Sequence, residues 1–115
     1  MQRVLIVDDE PGFLDGITTA LECEGREIAG CSTFEDARNR LLTEDFDILL
    51  TDVRLGAFNG IQLAIIAHDR NPDIGLVVFS GFDDPVLRAE ASGVGAQYLV
   101  KPVTAVQLLD LMATH

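Results

Sequence analysis

FDILLTD, residues 46–52, is an apolar run of strand length that ends on a carboxylate, Asp52. Outward from it, three more short apolar runs also end on a reactive polar side chain. VLIV (4–7) leads to Asp8 and Asp9, LVVF (76–79) to Ser80, and QYLV (97–100) to Lys101. Strands that lie parallel in one open sheet present their carboxyl ends along one edge, where ligands of such α/β proteins bind. Three acids, one hydroxyl and one ammonium are therefore expected to share a pocket.

The segments between these runs carry helical spacing. Asp8-Asp9-Glu10-Pro11 closes the first strand, and Pro11 suits the first turn of a helix with Phe13, Ile17, Ala20 and Leu21 on one face and Gly25 as its left-handed cap. EIAGC (27–31), interrupted by Gly30, reads as a weaker strand at a sheet edge. Ser32 or Thr33 caps the next helix, with Glu35 and Asp36 at its positive end and Phe34, Ala37, Leu41 and Leu42 facing inward. VRLGAFNG (53–60) reads as a loop, and a helix over 61–70 stops at Asn71-Pro72. A strand over 74–79 follows. Asp83 or Asp84 then caps a helix opened by Pro85 that runs to Ser92, with Gly93 as its stop. The strand 97–100 and a helix over 104–112 complete the chain. Five strand-then-helix units imply a parallel sheet with helices on both faces, because right-handed crossovers return the chain to the same edge.

At 115 residues the chain fits one domain, 1–115, able to bury roughly two-thirds of its unfolded surface. A hydrophobic content of 48% with only 23% charged residues points to a packed globule rather than a disordered segment. Eight basic against 19 acidic residues give a net charge of −11, which repels nucleic acid and anionic lipid and leaves no basic stripe to bind them. No direct contact with nucleic acid or membrane is expected. Cys23 and Cys31 read as reduced thiols of a cytosolic chain. No leader precedes the first strand and no apolar run approaches the ~18 residues of a span, so a soluble, cytoplasmic protein is expected.

The chemistry lies in the convergence. By itself an Asp pair before a helix is a cap or loop feature, Ser80 a turn residue, and Lys101 a solvated strand end. Brought together, Asp8, Asp9 and Asp52 repel one another unless they share a cation. Magnesium suits them, because it takes a few carboxylate oxygens, keeps waters, and accepts phosphate as a further ligand. A cation and the Lys101 ammonium beside one carboxylate attract a phosphoryl group and neutralise charge on its oxygens during transfer. Ser80 can donate to a phosphoryl oxygen, with Gly81 leaving room. Neither acidic motif holds a His to activate Ser80, which argues against a serine hydrolase. No glycine-rich phosphate loop follows the first strand, which argues against a flavin or dinucleotide site.

VLIVDDE with Asp8 and Asp9, LLTDVRL with Asp52, FSG with Ser80, and YLVKP with Tyr98, Lys101 and Pro102 occur in this order, each at the end of its own strand. In this combination the chain resembles, over essentially its whole length, the receiver (REC) domain of two-component response regulators. The resemblance implies a flavodoxin-like (βα)5 fold: a doubly wound five-stranded parallel sheet of strand order 2-1-3-4-5. It also implies a cytoplasmic phosphoprotein of phosphorelay signal transduction, not an enzyme acting on other molecules, that catalyses only its own phosphorylation and dephosphorylation. Asp52 would take a phosphoryl group from the phosphohistidine of a cognate sensor histidine kinase or phosphotransfer protein. Asp9, Asp52 and the backbone carbonyl of Arg54 would ligate Mg2+, with Asp8 supporting the ion, often through water. Lys101 would pair with Asp52 before transfer and with a phosphoryl oxygen after it.

By the same resemblance Ser80 moves to bond the phosphoryl group, the loop after the fourth strand follows, and Tyr98 turns inward. That change would pass to the face of the fourth helix, fifth strand and fifth helix, to control an output domain, a partner or a phosphorylation-dependent homodimer. Lys101-Pro102 would be a cis peptide. The chain departs from the family in lacking the common proline in GAFNG and in carrying Ser80 for the frequent Thr. Arg54 and Phe82 stand where relatives tune hydrolysis of the acyl phosphate, and their bulk is expected to shield it and slow its loss. The last helix adds Val106, Leu109 and Leu111 to the inward Leu108 and Met112, an apolar stripe wide enough for a partner surface. His68 and His115 have no companions at ligand spacing.

Two other classes fit these residues less well. Haloacid-dehalogenase-like phosphatases place a second Asp two residues after the nucleophile, where Asp52 is followed by Arg54 and Asp8 by Glu10. A module of this architecture that is never phosphorylated would not need the complete set Asp8, Asp9, Asp52, Ser80 and Lys101.

Overall fold

From Val4 to Val7 every residue of the first strand is buried, as a strand covered on both faces requires. The computed structural model describes residues 1–23 and 25–115. In chain order its elements are β1 (Gln2–Val7), α1 (Pro11–Leu21), β2 (Arg26–Cys31), α2 (Phe34–Thr43), β3 (Ile48–Asp52), β4 (Arg54–Leu55), β5 (Phe58–Asn59), α3 (Gly60–Arg70), β6 (Gly75–Ser80), α4 (Pro85–Gly93), β7 (Gln97–Val100) and α5 (Ala105–Ala113). Five strands form one sheet in the order β2-β1-β3-β6-β7, every pair parallel. Counting those five alone, the order is 2-1-3-4-5, the flavodoxin-like winding expected. The strand holding Gly30 lies at the edge.

Side chains alternate across the sheet with the period of two that a strand imposes. Val4, Ile6, Ile48, Leu50, Val77 and Phe79 pack with Leu14, Ile17 and Leu21 of α1 and Leu108 and Met112 of α5. Leu5, Val7, Leu49, Leu76 and Val78 pack with Phe34, Ala37 and Leu41 of α2, Leu63, Ala64 and Ala67 of α3, and Ala91 of α4. Two helices therefore cover one face and three the other. Among the described residues no helix is long and apolar enough to cross a membrane.

Caps set the helix starts. Thr33 accepts from the Asp36 amide, Asn59 from that of Ile61, Asp84 from those of Val86 and Leu87, and Thr104 forms a capping box with Gln107. The ends differ from expectation. The first helix stops at Leu21 with an extended Glu22, so Gly25, at φ 84°, turns the chain into β2 instead of capping the helix. Cys23 accordingly falls outside the helix, an exposed free thiol, and Cys31 is a buried one. Gly93 is still helical, and the left-handed residue is Gly95, at φ 80°. Ala20 and Leu42 face outward and Leu14 takes an inward place, because each helix covers the sheet with a narrower stripe than its composition allows. The segment read as a loop after Asp52 contains the antiparallel ribbon of β4 and β5, which turns at Gly56 with φ 61°.

Candidate functional site

Register puts the acids side by side. Val7 pairs with Thr51, so Asp8 and Asp52 follow at the same level on neighbouring strands, both at the carboxyl edge. Asp52 pairs with Phe79, and Ser80 with Val100. The edge thus steps outward: Ser80 stands one residue beyond the level of Asp52 and Lys101 two. The long Lys101 side chain reaches back across that step. Its Nζ donates to Asp52 Oδ2 at 2.9 Å and to Asp8 Oδ2 at 3.3 Å. Lys101 precedes Pro102 through a cis peptide bond.

Asp8 is wholly buried and Asp52 nearly so, while Asp9 is exposed. The remaining oxygens of the buried pair are held by backbone. Asp8 Oδ1 accepts from the Glu10 amide at 2.8 Å, and Asp52 Oδ1 accepts from the Arg54 amide at 3.2 Å. One carboxylate oxygen from each of Asp8, Asp9 and Asp52 lies within 4.8 Å of the others. Such an all-oxygen set fits a hard divalent cation, Mg2+ or Ca2+, and excludes one that prefers sulfur or imidazole.

Burial pushes the Asp8 carboxyl above its ordinary value, and the charge of Asp52 adds to that. The Glu10 amide and Lys101 pull against it without cancelling it. For Lys101, burial works to lower the pKa, but the hydrogen bond to Asp52 and the charges of Asp52 and Asp8 outweigh it and leave it raised. The ammonium is therefore fully charged at neutral pH, next to a carboxylate trio in need of positive charge.

The alternation of the strands sorts the remaining residues. Asp52 and Phe79 lie on the α1 and α5 side of the sheet, Ser80 and Tyr98 on the other. Ser80, buried, accepts from the Phe82 amide at 3.3 Å, and the Tyr98 hydroxyl donates to the Phe82 carbonyl at 2.7 Å. The two residues hold the backbone of Phe82 on both sides of its Cα, one at the amide and one at the carbonyl. The Tyr98 ring is already buried, with the Arg88 guanidinium 4.8 Å over its centre. Arg54 opens the β4–β5 ribbon and lays its guanidinium 5.5 Å over the exposed ring of Phe82, so the two bulky residues lean together beside Asp52.

Three residues at the site escaped the sequence reading. Gly60 lies where a Cβ would overlap the Asp52 carbonyl oxygen. Phe13 and Phe79 place their rings 5.6 and 5.7 Å from Lys101 Nζ. The sequence pattern places Phe13 on the inward face of the first helix and makes Phe79 the last residue of its strand. The available signal was positional: Phe13 stands four residues after Asp9 in the first turn of a helix starting at the site, and Phe79 immediately precedes Ser80.

Comparison with known proteins adds an independent line. The family model for the response regulator receiver domain matches residues 4–113. Response regulator protein FleR of Pseudomonas aeruginosa is 31% identical over 114 residues, covering 98% of this chain and 24% of FleR, so the chain spans about a quarter of that relative's length. The crystal structure of a CheY-like response regulator receiver domain protein from Methanospirillum hungatei matches with a TM-score of 0.91 at 28% identity, covering 99% of this chain and 92% of that one. A response regulator protein from Burkholderia pseudomallei, crystallised with a phosphorylated aspartic acid, a calcium ion and citrate, matches with a TM-score of 0.88 at 25% identity over 96% of this chain and 66% of that one.

Proposed function

The chain belongs to the response regulator receiver domain family, and from that premise we propose that residues 1–115 act as one receiver unit whose phosphoacceptor is Asp52. Receiver domains are signalling parts of two-component systems. The observation that carries the assignment is a single carboxylate, Asp52, with two further acids close by and the Lys101 ammonium bonded both to it and to Asp8.

An Asp52 oxygen attacks phosphorus as the P–N bond of a phosphohistidine breaks; an O–P bond forms, and the electron pair leaves with the imidazole nitrogen, which takes a proton. The donor would be a cognate sensor histidine kinase or phosphotransfer protein in the cytoplasm. Asp9, Asp52 and the Arg54 carbonyl would hold Mg2+ with Asp8 in support, and the bound ion would supply positive charge for the transferring oxygens. Lys101 neutralises a second oxygen. The same machinery would serve the later hydrolysis of the acyl phosphate.

The switch follows from the two backbone hydrogen bonds of Phe82. When Ser80 turns its hydroxyl to the phosphoryl group it releases the Phe82 amide, and the loop carrying Phe82 takes the Tyr98 hydroxyl with it. The face of α4, β7 and α5 would then present a different surface to an output domain, a partner or a second copy.

The test is incubation with magnesium and a small acyl-phosphate donor, followed by intact mass measurement. The wild type should gain one phosphoryl group, Asp52→Asn none, and chelation of magnesium should suppress the gain. A wild type that gains nothing, or an Asp52→Asn variant that gains as much, overturns the assignment.

A further inference from the structure

Lys101 is held by more than its carboxylates. Its ammonium lies 5.6 Å from the centre of the Phe13 ring and 5.7 Å from that of Phe79, and the two rings meet edge to face at 6.1 Å and 61°. Both distances are within the roughly 6 Å over which a ring's negative face attracts a cation. The rings come from different elements, Phe13 from the first turn of α1 and Phe79 from β6, and Phe79 is fully buried.

We propose that Phe13 and Phe79 are positioning residues that hold the Lys101 ammonium at Asp52 for phosphoryl transfer. The proposal rests on Asp52 being the acceptor. A lysine carries its charge on a flexible four-carbon stem, so without lateral restraint it samples many rotamers. Its two carboxylate partners are also the groups a divalent cation would engage, and such a cation both competes for those oxygens and repels the ammonium. An aromatic face escapes that competition. It attracts the ammonium without binding the metal and without accepting a proton, so the positive charge stays intact and in place while the carboxylates are otherwise engaged. The buried Phe79 ring supplies the fixed wall, and the half-buried Phe13 ring, edge to face with it, completes a corner against which the ammonium lies.

Phe13 is the residue to vary, because it sits partly exposed on a helix where leucine packs comparably, whereas Phe79 is central to the core. The first measurement is a double-mutant cycle by metal-free unfolding, with Phe13→Leu, Lys101→Met and the pair. The expected coupling is about three- to tenfold in the unfolding equilibrium; additive effects overturn the proposal. This readout does not involve phosphorylation. The second is the initial rate of phosphorylation from a small acyl-phosphate donor at saturating magnesium. Phe13→Leu should be slower by about three- to tenfold, and Phe13→Tyr, which keeps a ring, should recover most of the rate. Equal rates in wild type and Phe13→Leu, or equal losses in the leucine and tyrosine variants, overturn it. A wild type that accepts no phosphoryl group defeats the Asp52 assignment and with it the transfer half of the proposal; the cycle then decides whether the rings hold the ammonium.

Discussion

Gly60 shows how little room surrounds the acceptor. A Cβ at this position would overlap the Asp52 carbonyl oxygen and lie 2.8 Å from Thr51 Oγ1, while the Gly60 amide donates to the Val53 carbonyl at 2.7 Å. The backbone of α3 can approach the end of β3 this closely only without a side chain. Gly60→Ala should therefore lower stability by about 1–3 kcal/mol, as overpacking does, and slow phosphorylation, since relief comes by moving Asp52. An unchanged unfolding midpoint would contradict the close approach. Arg54 and Phe82 make the second residue-scale case. Stacked beside Asp52 with 5.5 Å between guanidinium and ring centre, they can screen an aspartyl phosphate from water. The phosphorylated wild type should decay more slowly than either Arg54→Ala or Phe82→Ala, measured by loss of the added mass with time; a lifetime shortened by neither change removes the shield.

At the scale of elements, the last helix divides its apolar residues. Leu108 and Met112 are buried, Leu109 and Leu111 are partly so against the same core, and Val106 is 66% exposed. The wide stripe expected of α5 is thus largely core, with one residue left outside. Val86 on α4 and Val100 at the end of β7, 65% and 37% exposed, add to it. Three neighbouring elements at the β7 edge of the sheet carry these apolar residues, which supports a contact surface there. If phosphorylation drives self-association through this face, the wild type should sediment as a larger species after treatment with the acyl-phosphate donor, and Val106→Asp should remain monomeric at unchanged stability. A phosphorylated wild type that stays monomeric rules out the homodimer. A surface change of this kind alters stability by about 0.5 kcal/mol at most.

Across the whole molecule, charge is arranged at both ends of the sheet. Opposite the acidic edge, Arg3 of β1 donates to Glu44 at 2.8 Å and to the Asp45 carbonyl at 2.7 Å, and Arg40 of α2 donates to the other Glu44 oxygen at 2.9 Å. The Arg40 hydrogen bond first, then that from Arg3, hold the Glu44 carboxyl below its usual range. A depressed folded-state pKa contributes stability that is present above the unfolded value and disappears as pH falls through the folded one. Glu44→Gln should accordingly lower the unfolding midpoint slightly at pH 7, less in high salt, and match the wild type once the pH is below the folded pKa of Glu44. A difference independent of pH would mean that the carboxylate charge plays no part.

The strand runs, the helix spacing, caps at Ser32 or Thr33 and at Asp83 or Asp84, and the five parallel units were readable in the chain, because periods of two and 3.6 and turn chemistry act within a few residues; the structure selects Thr33 and Asp84 and makes Thr104, read as the first residue of the last helix, its cap. So was the convergence of Asp8, Asp9, Asp52 and Lys101, since each stands at the carboxyl end of an apolar strand run and parallel strands end on one edge. What only the tertiary structure decided depends on register and approach between segments far apart in sequence. The register from β3 through β6 to β7 sets Lys101 two residues beyond Asp52, within reach of its long side chain, strand alternation puts Phe79 and Ser80 on opposite faces, and the closeness of α3 to β3 demands Gly60. Local sequence leaves those relations open because no local interaction carries them; packing the helices onto both faces of the sheet sets them.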